Sequence, residues 1–500
     1  MIEWANQRGN ADVATSEPMT AEAPPAAAAL PPLAGRLKAA FSLGDLPDSV
    51  AVNAANTFLL FYLTAVCGLP GALAGAALAI AQVFDAFSDP LIGFFTDNAR
   101  SRIGRRHPFI LAAVWPLALS LGLLFSIPHM APGLPLFAYA TAVLLVMRVS
   151  HSAFTLPYAA LGAELVTDYA ERSVMTTYRW SFNIAGAAIC IALGLAVFMR
   201  GKEGLLDQAA YVGFGWSCAF VALAGGLVSG VSTLRLRHRL RPAPTRAEAP
   251  RLSSLPSEIA DVFRNPSFRV LFVTALVFFS TQGMAVALGL HANRYFWKLP
   301  TPVIQNVLFA NLAGLAIGLP LAGLILRRVQ KHHAAAVGIG AIALCQLTPP
   351  VLRLTGVMTL EGPPLWYALG AFSMLAGCAM TCVVIPFWSM MADAADEHLF
   401  RFGSQREALY FAGLTLSAKA ATGIGGLVAG LSLDAIAFPH DPAVLARGAV
   451  AADTVVKLGW IYGPGGALGI GLAAFILTRY ALDRAACEHI QATLAARATT

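Results

Sequence analysis

Two carboxylates one helical turn apart, Asp85 and Asp89, lie in the run FDAFSDPLIGFF, within a segment otherwise apolar enough to cross a bilayer. A carboxylate at the centre of a membrane helix costs about 2.5–3.5 kcal/mol on insertion scales. Residues four apart share a helix face, so the two charges also repel each other. Such a pair calls for a positive partner. The simplest is a small cation, because hard cations take oxygen ligands. Without one, the pair is expected to share a proton, since two like charges this close do not both ionise cheaply. Na+ and H+ would therefore use the same atoms. The other reading is a salt bridge to an intramembrane Arg or Lys that only holds helices together.

Further polar residues sit at membrane depth. Arg148 heads a stripe with Ser152 and Thr155, spaced four and three apart on one helix face, with His151 beside it. Ser and Thr in such helices often bond their own backbone. A buried guanidinium must find a partner, and for Arg148 that is either the Asp85–Asp89 pair or an anionic group of a substrate. Arg179 and Lys419 lie in two other spans, where each could pair with an acid in one conformation and release it in another. Trp388 can offer its ring face to a sugar or an acyl chain. Charges also gather at the helix ends: Asp97, Arg102, Arg105, Glu164, Asp168 and Arg172 in the first half, Asp393, Glu397 and Arg406 in the second. They can latch two halves together at the cytoplasmic side when a central cavity faces outward.

The elements that position these residues follow from composition. The 500-residue chain is 57% hydrophobic and 12% charged, against about 25% charged in soluble domains. Twelve segments approach the ~20 residues needed to span a bilayer: 47–66, 70–97, 108–127, 136–157, 178–199, 211–234, 266–290, 303–327, 334–352, 365–391, 407–432 and 456–482. The fold class expected is an all-α membrane protein. The net charge of +7 does not point to nucleic acid, because of where it falls. Arg100, Arg102, Arg105 and Arg106 follow the second span, Arg235, Arg237, Arg239 and Arg241 the sixth, Arg327, Arg328 and Lys331 the eighth. These exits share one side, and the positive-inside rule makes it cytoplasmic, with both termini there. The expected setting is the cytoplasmic (inner) membrane, with lipid and a small-molecule substrate as partners, no cofactor, and one chain sufficient to form a path. No nucleophile–base constellation, H-E-x-x-H or P-loop is present, so an enzyme is not expected. The seven cysteines are scattered and imply no disulfide framework.

The chain divides into a disordered cytoplasmic tail (1–40), a six-helix bundle (41–235), a basic, Pro-rich cytoplasmic linker (236–265), a second six-helix bundle (266–484) and a cytoplasmic tail (485–500). The bundles look related. SDPLIGF at 88–94 lies over GLPLAGL at 318–324, and TLPYAALGAELVTDYAER at 155–172 over VIPFWSMMADAADEHLFR at 384–401. In the second pair Pro157 matches Pro386, Glu164 matches Asp393 and Asp168 matches Glu397. Two pseudo-symmetric six-helix bundles with a site between them are the plan of major facilitator transporters. Asp85 and Asp89 fall on Leu315 and Leu319, so the carboxylate pair belongs to the first half alone.

The run DAFSDPLIGFFTDNARSRIGRRHPF from Asp85, with ALGAELVTDYAER at 160–172, IPFWSMMADAADE at 385–397 and the lysine of TLSAKAATG at 415–423, resembles the glycoside–pentoside–hexuronide:cation symporter family. The likeness covers most of 41–482. It implies the major facilitator fold and a secondary active symporter that couples inward movement of Na+ or H+ to uptake of a sugar, glycoside or related small solute by alternating access. It implies a cation site at Asp85 and Asp89, with Ser88 a polar neighbour and Ser152 completing it. Arg179, Trp388 and Lys419 match positions lining the sugar site or its charge network. The fourth-helix acid of the family is here Thr155 and the following aromatic is Ala159. The first-helix acid falls on Ser49 in a gapless alignment, with Asp45 and Asp48 beside it, and Asp48 joins Arg148 and Thr155 as a substrate-binding candidate. These departures weaken a galactoside as substrate. A related branch, the sodium-dependent lysophospholipid transporters, keeps a similar carboxylate pair and lysine, which makes cation-coupled transport of an amphiphile the alternative.

Overall fold

The computed structural model describes residues 33–99, 101–128, 130–166, 168–201, 203–239, 260–404 and 406–498, and among them it is helical throughout. The greater parts of the N-terminal tail (1–32) and of the linker (240–259) lie outside the described residues. Eleven helices are long and apolar enough to cross a membrane. A twelfth, the first span, is continuous from 45 to 66 but changes pitch. It runs as α-helix over Asp45–Asn53, then as π-turns over Ala54–Leu59 and Tyr62–Val66. The second to sixth spans are Gly71–Asn98, His107–Leu124, Leu134–Leu165, Tyr169–Ile191 (extended by a π-segment, Ala192–Phe198) and Gln208–Thr233. The seventh to eleventh are Pro266–His291 (extended over Ala292–Phe296), Thr301–Leu326, Lys331–Leu354, Pro363–Phe402 and Glu407–Ala435, and the twelfth runs from 452 to 477.

Three features differ from the sequence expectation. The fourth and tenth spans, expected to end at 157 and 391, run on to Leu165 and Phe402, with Pro157 and Pro386 inside them. Packed membrane helices tolerate an internal proline, so Glu164, Asp393 and Glu397 ride on helix rather than loop. Residues 33–40, placed by sequence in a disordered tail, include the start of a helix, Gly35–Ser42, whose Lys38 pairs with Glu171 at 2.9 Å. The C-terminal tail is also helical over Arg484–Ala498, with Gln491 donating to Asp396 at 3.2 Å on the tenth span.

The internal repeat is visible in backbone detail. After the first span the N–H groups of Cys67 and Leu69 donate to the carbonyls of Tyr62 and Leu63. After the seventh, those of Trp297 and Leu299 donate to Ala292 and Asn293, the same pattern 230 residues on. The left-handed turn residue is Gly68 (φ 73°) in one copy and Lys298 (φ 54°) in the other. A prolyl residue, Pro70 or Pro300, precedes the next helix each time.

Within the first half, the second span packs on the fourth, the third on the fourth and sixth, and the first on the fifth and sixth. In the second half the eighth and ninth pack on the tenth, and the seventh on the eleventh and twelfth. The halves meet mainly where the second span crosses the eleventh, with smaller contacts of the first on the seventh and the fifth on the eighth. At the end away from the linker this crossing is backbone on backbone: a Cβ at Gly430 would collide with the carbonyl oxygen of Gly71. The carboxylate of Asp434 accepts the N–H groups of Gly71 and Ala72 at 2.8 and 2.7 Å, capping the second span from the opposite half. Thr64 meets His291 at 3.0 Å, and the Thr301 hydroxyl donates to the carbonyl of Gly201 at 3.1 Å. The bundle is therefore pinned shut at its far end.

Candidate ion and substrate site

On the linker side of that closure lies a cavity of about 300 Å³ between the halves, walled by the first, second, fourth, seventh, tenth and eleventh spans. Asp85 stands on its wall, fully buried. Its Oδ1 accepts the Ser152 hydroxyl at 2.6 Å, and its Oδ2 lies 2.9 Å from the ammonium of Lys419, in ion-pair rather than hydrogen-bond alignment. Lys419 also donates to Asp89 Oδ2 at 2.5 Å. The two carboxylates thus share a face, as their spacing requires, and a lysine from the other half bridges them. Asp89 Oδ1 is buried without a hydrogen-bond partner. The amide of Gln82, one turn before Asp85, ties the same crossing by donating to the Lys419 carbonyl at 2.9 Å.

The sequence candidates divide into those the cavity gathers and those it does not. Asp48, Asp85, Arg148, Trp388 and Lys419 line it together. Arg148 is 5% exposed, its Nε has no partner, and no ion pair to it is formed among the described residues. Asp48 accepts from Asn183 at 3.1 Å and pairs with His151 at 2.8 Å. Trp388 stacks on Phe411 at the cavity wall, with ring centroids 5.8 Å apart.

Ser88, Thr155 and Arg179 are placed otherwise. The Ser88 hydroxyl donates to the carbonyl of Asp85 at 3.1 Å and that of Thr155 to the carbonyl of His151 at 2.9 Å, so both are spent on their own helices in this conformation. Arg179 forms a bidentate pair with Asp45, both bonds 3.1 Å, under the Tyr158 hydroxyl, which donates to the same carboxylate at 2.6 Å. The first-helix acid that meets Arg179 is therefore Asp45, not Asp48 and not the aligned Ser49, whose hydroxyl donates to the Asn183 carbonyl at 2.6 Å. The sequence reading noted His151 without giving it a role and did not name Gln82, Asn56 or Thr422, all on the cavity wall. Gln82 could have been found, because it lies three residues before Asp85 on the same face.

At the linker end the ion pairs seen run within each half. Arg105 and Arg106 both reach Glu164, the latter at 3.1 Å, Lys331 pairs with Asp393 at 2.6 Å, and Arg401 with Glu397 at 2.7 Å. Asp168 caps the fifth span by accepting the Glu171 N–H at 2.9 Å, and Arg172 donates to the Val166 carbonyl at 2.9 Å. Arg102 is exposed, and Arg406 stands at the start of the eleventh span. The side chain of Asp97 lies outside the described residues. Among the described residues no cluster of three or more His, Cys, Asp or Glu could hold a metal ion.

The profile of the family described as MFS/sugar transport protein matches residues 40–484. The chain belongs to that family. It is a membrane transporter of the major facilitator superfamily and not an enzyme. An uncharacterized symporter of Synechocystis sp. is 27% identical over 470 residues, covering 80% of this chain and 86% of that protein. The isoprimeverose transporter of Lactiplantibacillus pentosus is 26% identical over 455 residues, covering 89% and 88%. The crystal structure of the nucleoside transporter NupG superposes with a TM-score of 0.62 at 12% identity over 89% of this chain and 99% of that one, a likeness of fold.

Proposed function

We propose that this protein is a symporter that couples entry of Na+ or H+ to uptake of a sugar or glycoside, with Asp85 and Asp89 as the ion-binding carboxylates. One observation carries the reading: the ammonium of Lys419, from the second half, bridges both carboxylates of the first half at the wall of a buried cavity. A cation entering that site takes over the charge the lysine supplies, so ion binding changes how the halves are held. Ser152 orients Asp85, and Ser88 can join the oxygen set only by leaving its backbone carbonyl. Arg148, Asp48 with His151, and Trp388 line the substrate space. Arg179 and Thr155 act at its margin.

The basic exits of the even-numbered spans place the linker side and both termini in the cytoplasm, so the cavity faces inward here. Alternating access then closes the linker end, where Arg102, Arg105, Arg172 and Arg406 come to face acids of the opposite half (Asp97, Glu164 and Asp168; Asp393 and Glu397), and opens the Gly71–Gly430 crossing. One chain contains the whole path. The setting is the cytoplasmic membrane. The test is uptake into proteoliposomes of sugars, glycosides, glucuronides and lysophospholipids, each under an imposed Na+ or pH gradient. Gradient-driven accumulation of a glycoside is expected. Accumulation of a lysophospholipid alone would overturn the substrate class, and no accumulation of any probe would overturn symport.

A further inference from the structure

A second pocket adjoins the cavity and differs from it chemically. It holds about 240 Å³ between the seventh, eighth, ninth, tenth and twelfth spans of the second half, with Thr57 of the first span at its edge. A smaller pocket of about 170 Å³ lies between the two: it shares Gln282 with this second pocket and Asn56, Gln82 and Arg148 with the Asp85 cavity. No Asp, Glu, Lys, Arg or His lines the second pocket. Its polar wall is made of four neutral amides, Gln282, Asn293, Asn311 and Gln346, with the hydroxyl residues Thr57, Tyr462 and Ser373, the last donating to the Val307 carbonyl at 2.9 Å.

The internal repeat shows that the fold does not require these groups. Asn293 and Asn311 lie 230 residues after Leu63 and Ala81, and Ser373 lies 229 after Leu144. In the first half those three positions are apolar and sealed, at 0%, 0% and 1% exposure. The second half replaces them with groups that carry a desolvation cost unless something bonds them. Part of their capacity is used within the protein. Asn311 donates from Nδ2 to the Ser373 carbonyl at 3.1 Å, and Gln346 from Nε2 to the Tyr462 carbonyl at 2.6 Å. Their side-chain oxygens are left to the pocket, and the side chain of Asn293, a residue only 7% exposed, makes no hydrogen bond among the described residues.

We propose that this pocket binds an uncharged, hydroxyl-rich ring of the substrate, so that the transported solute is a glycoside of at least two units, one in the amide pocket and the other in the charged cavity beyond Arg148. Carbonyl acceptors and amide N–H donors match the paired donor and acceptor character of sugar hydroxyls, and an uncharged wall has nothing to offer an ionised group. The proposal rests on the sugar-symport reading. A volume somewhat below the 300–1,000 Å³ of whole drug-sized sites suits a single ring.

The test titrates purified protein in saturating Na+ with isoprimeverose, cellobiose and lactose, and with xylose, glucose and galactose, by calorimetry. Asn293→Leu restores the residue of the first half without breaking an internal side-chain hydrogen bond, and Asn311→Ala restores the second position at the cost of its bond to the Ser373 carbonyl. Wild type is expected to bind at least one disaccharide more tightly than its component sugars. Asn293→Leu should lose about tenfold of that affinity, about 1.4 kcal/mol, while keeping monosaccharide binding and its Na+ dependence, and Asn311→Ala should show the same selective loss. Unchanged disaccharide affinity in both variants would mean the pocket holds only water, and equal loss for both sugar classes would mean a purely structural role. Either result overturns the proposal and leaves symport standing. Failure of wild type to bind any of the six sugars would overturn both.

Discussion

Replacing Asp85 with Asn tests the ion assignment most directly. The side chain keeps its shape, and its amide oxygen can still accept the Ser152 hydroxyl that now lies 2.6 Å from Oδ1. Only the charge is removed. Around the cavity the carboxylates of Asp48, Asp85 and Asp89 face the fixed cations of Arg148 and Lys419, so these five groups carry one net negative charge. One monovalent cation brings them to neutrality. In the variant the empty cluster is already neutral, and an entering cation leaves it positive. A unit charge at about 4 Å with an effective dielectric near 20 is worth about 4 kcal/mol, and the same energy corresponds to roughly a thousandfold in ion affinity.

The assay separates two activities of one preparation. Gradient-driven accumulation needs the ion, whereas counterflow exchange of substrate at equal concentration on both sides does not. Asp85→Asn should abolish the first and retain the second, because Arg148, Asp48, His151 and Trp388 still line the cavity. Concentrative uptake at the wild-type ratio in this variant, and in Asp89→Asn, would refute the reasoning.

Ser152→Ala removes a hydrogen bond to an ionised carboxylate, about 1.5–3 kcal/mol. The ion concentration for half-maximal uptake should rise at least tenfold with exchange intact, and an unchanged ion titration would count against Ser152. Gly430→Ala places a methyl group against the Gly71 carbonyl, so the far end should no longer close. An impermeant thiol reagent added from that side should then label a cysteine at Val286, in a background lacking native cysteines, faster than in the parent, and equal rates would refute the closure. The Cys487 thiol, on the C-terminal helix, is pushed up to about 11 by burial and by the charge of Asp393. The thiolate is therefore scarce at pH 8, and maleimide labelling there should be slow and rise about tenfold per pH unit until pH nears 11; fast labelling at pH 8 would contradict that placement.

How much of this was legible in the sequence depended on whether a feature is local. The shared face of Asp85 and Asp89 follows from a spacing of four, and the repeat from matched prolines and acids. Lys419 stood out because an ammonium in mid-span must be met by an acid, although the sequence could not say that it meets two at once. Pairings that depend on helix rotation were not legible. Asp45, Asp48 and Ser49 lie within five residues, and only the pitch of the first span decides that Arg179 meets Asp45 while Asp48 turns to His151. The π-turns that alter this span carry no proline or glycine to announce them. Nor does the sequence show that the Ser88 and Thr155 hydroxyls donate to carbonyls of their own helices in this conformation.

The two kinds of contact between the halves differ in what can alter them. The Gly71–Gly430 crossing is backbone against backbone, and no ion changes its fit. The Lys419 bridge is charge against charge, on residues 23% and 19% exposed at Lys419 and Asp89 and 1% at Asp85, where screening by water is weak. In the proposed mechanism an arriving cation binds with full strength only by weakening that bridge, so the conformation in which the bridge is broken is the one the ion favours. By linkage, a ligand that favours the same conformation must bind the ion-loaded protein more tightly, by the same factor as the ion gains from it. Coupling of this kind needs no contact between ion and substrate, only that both bear on one lysine that belongs to the other half.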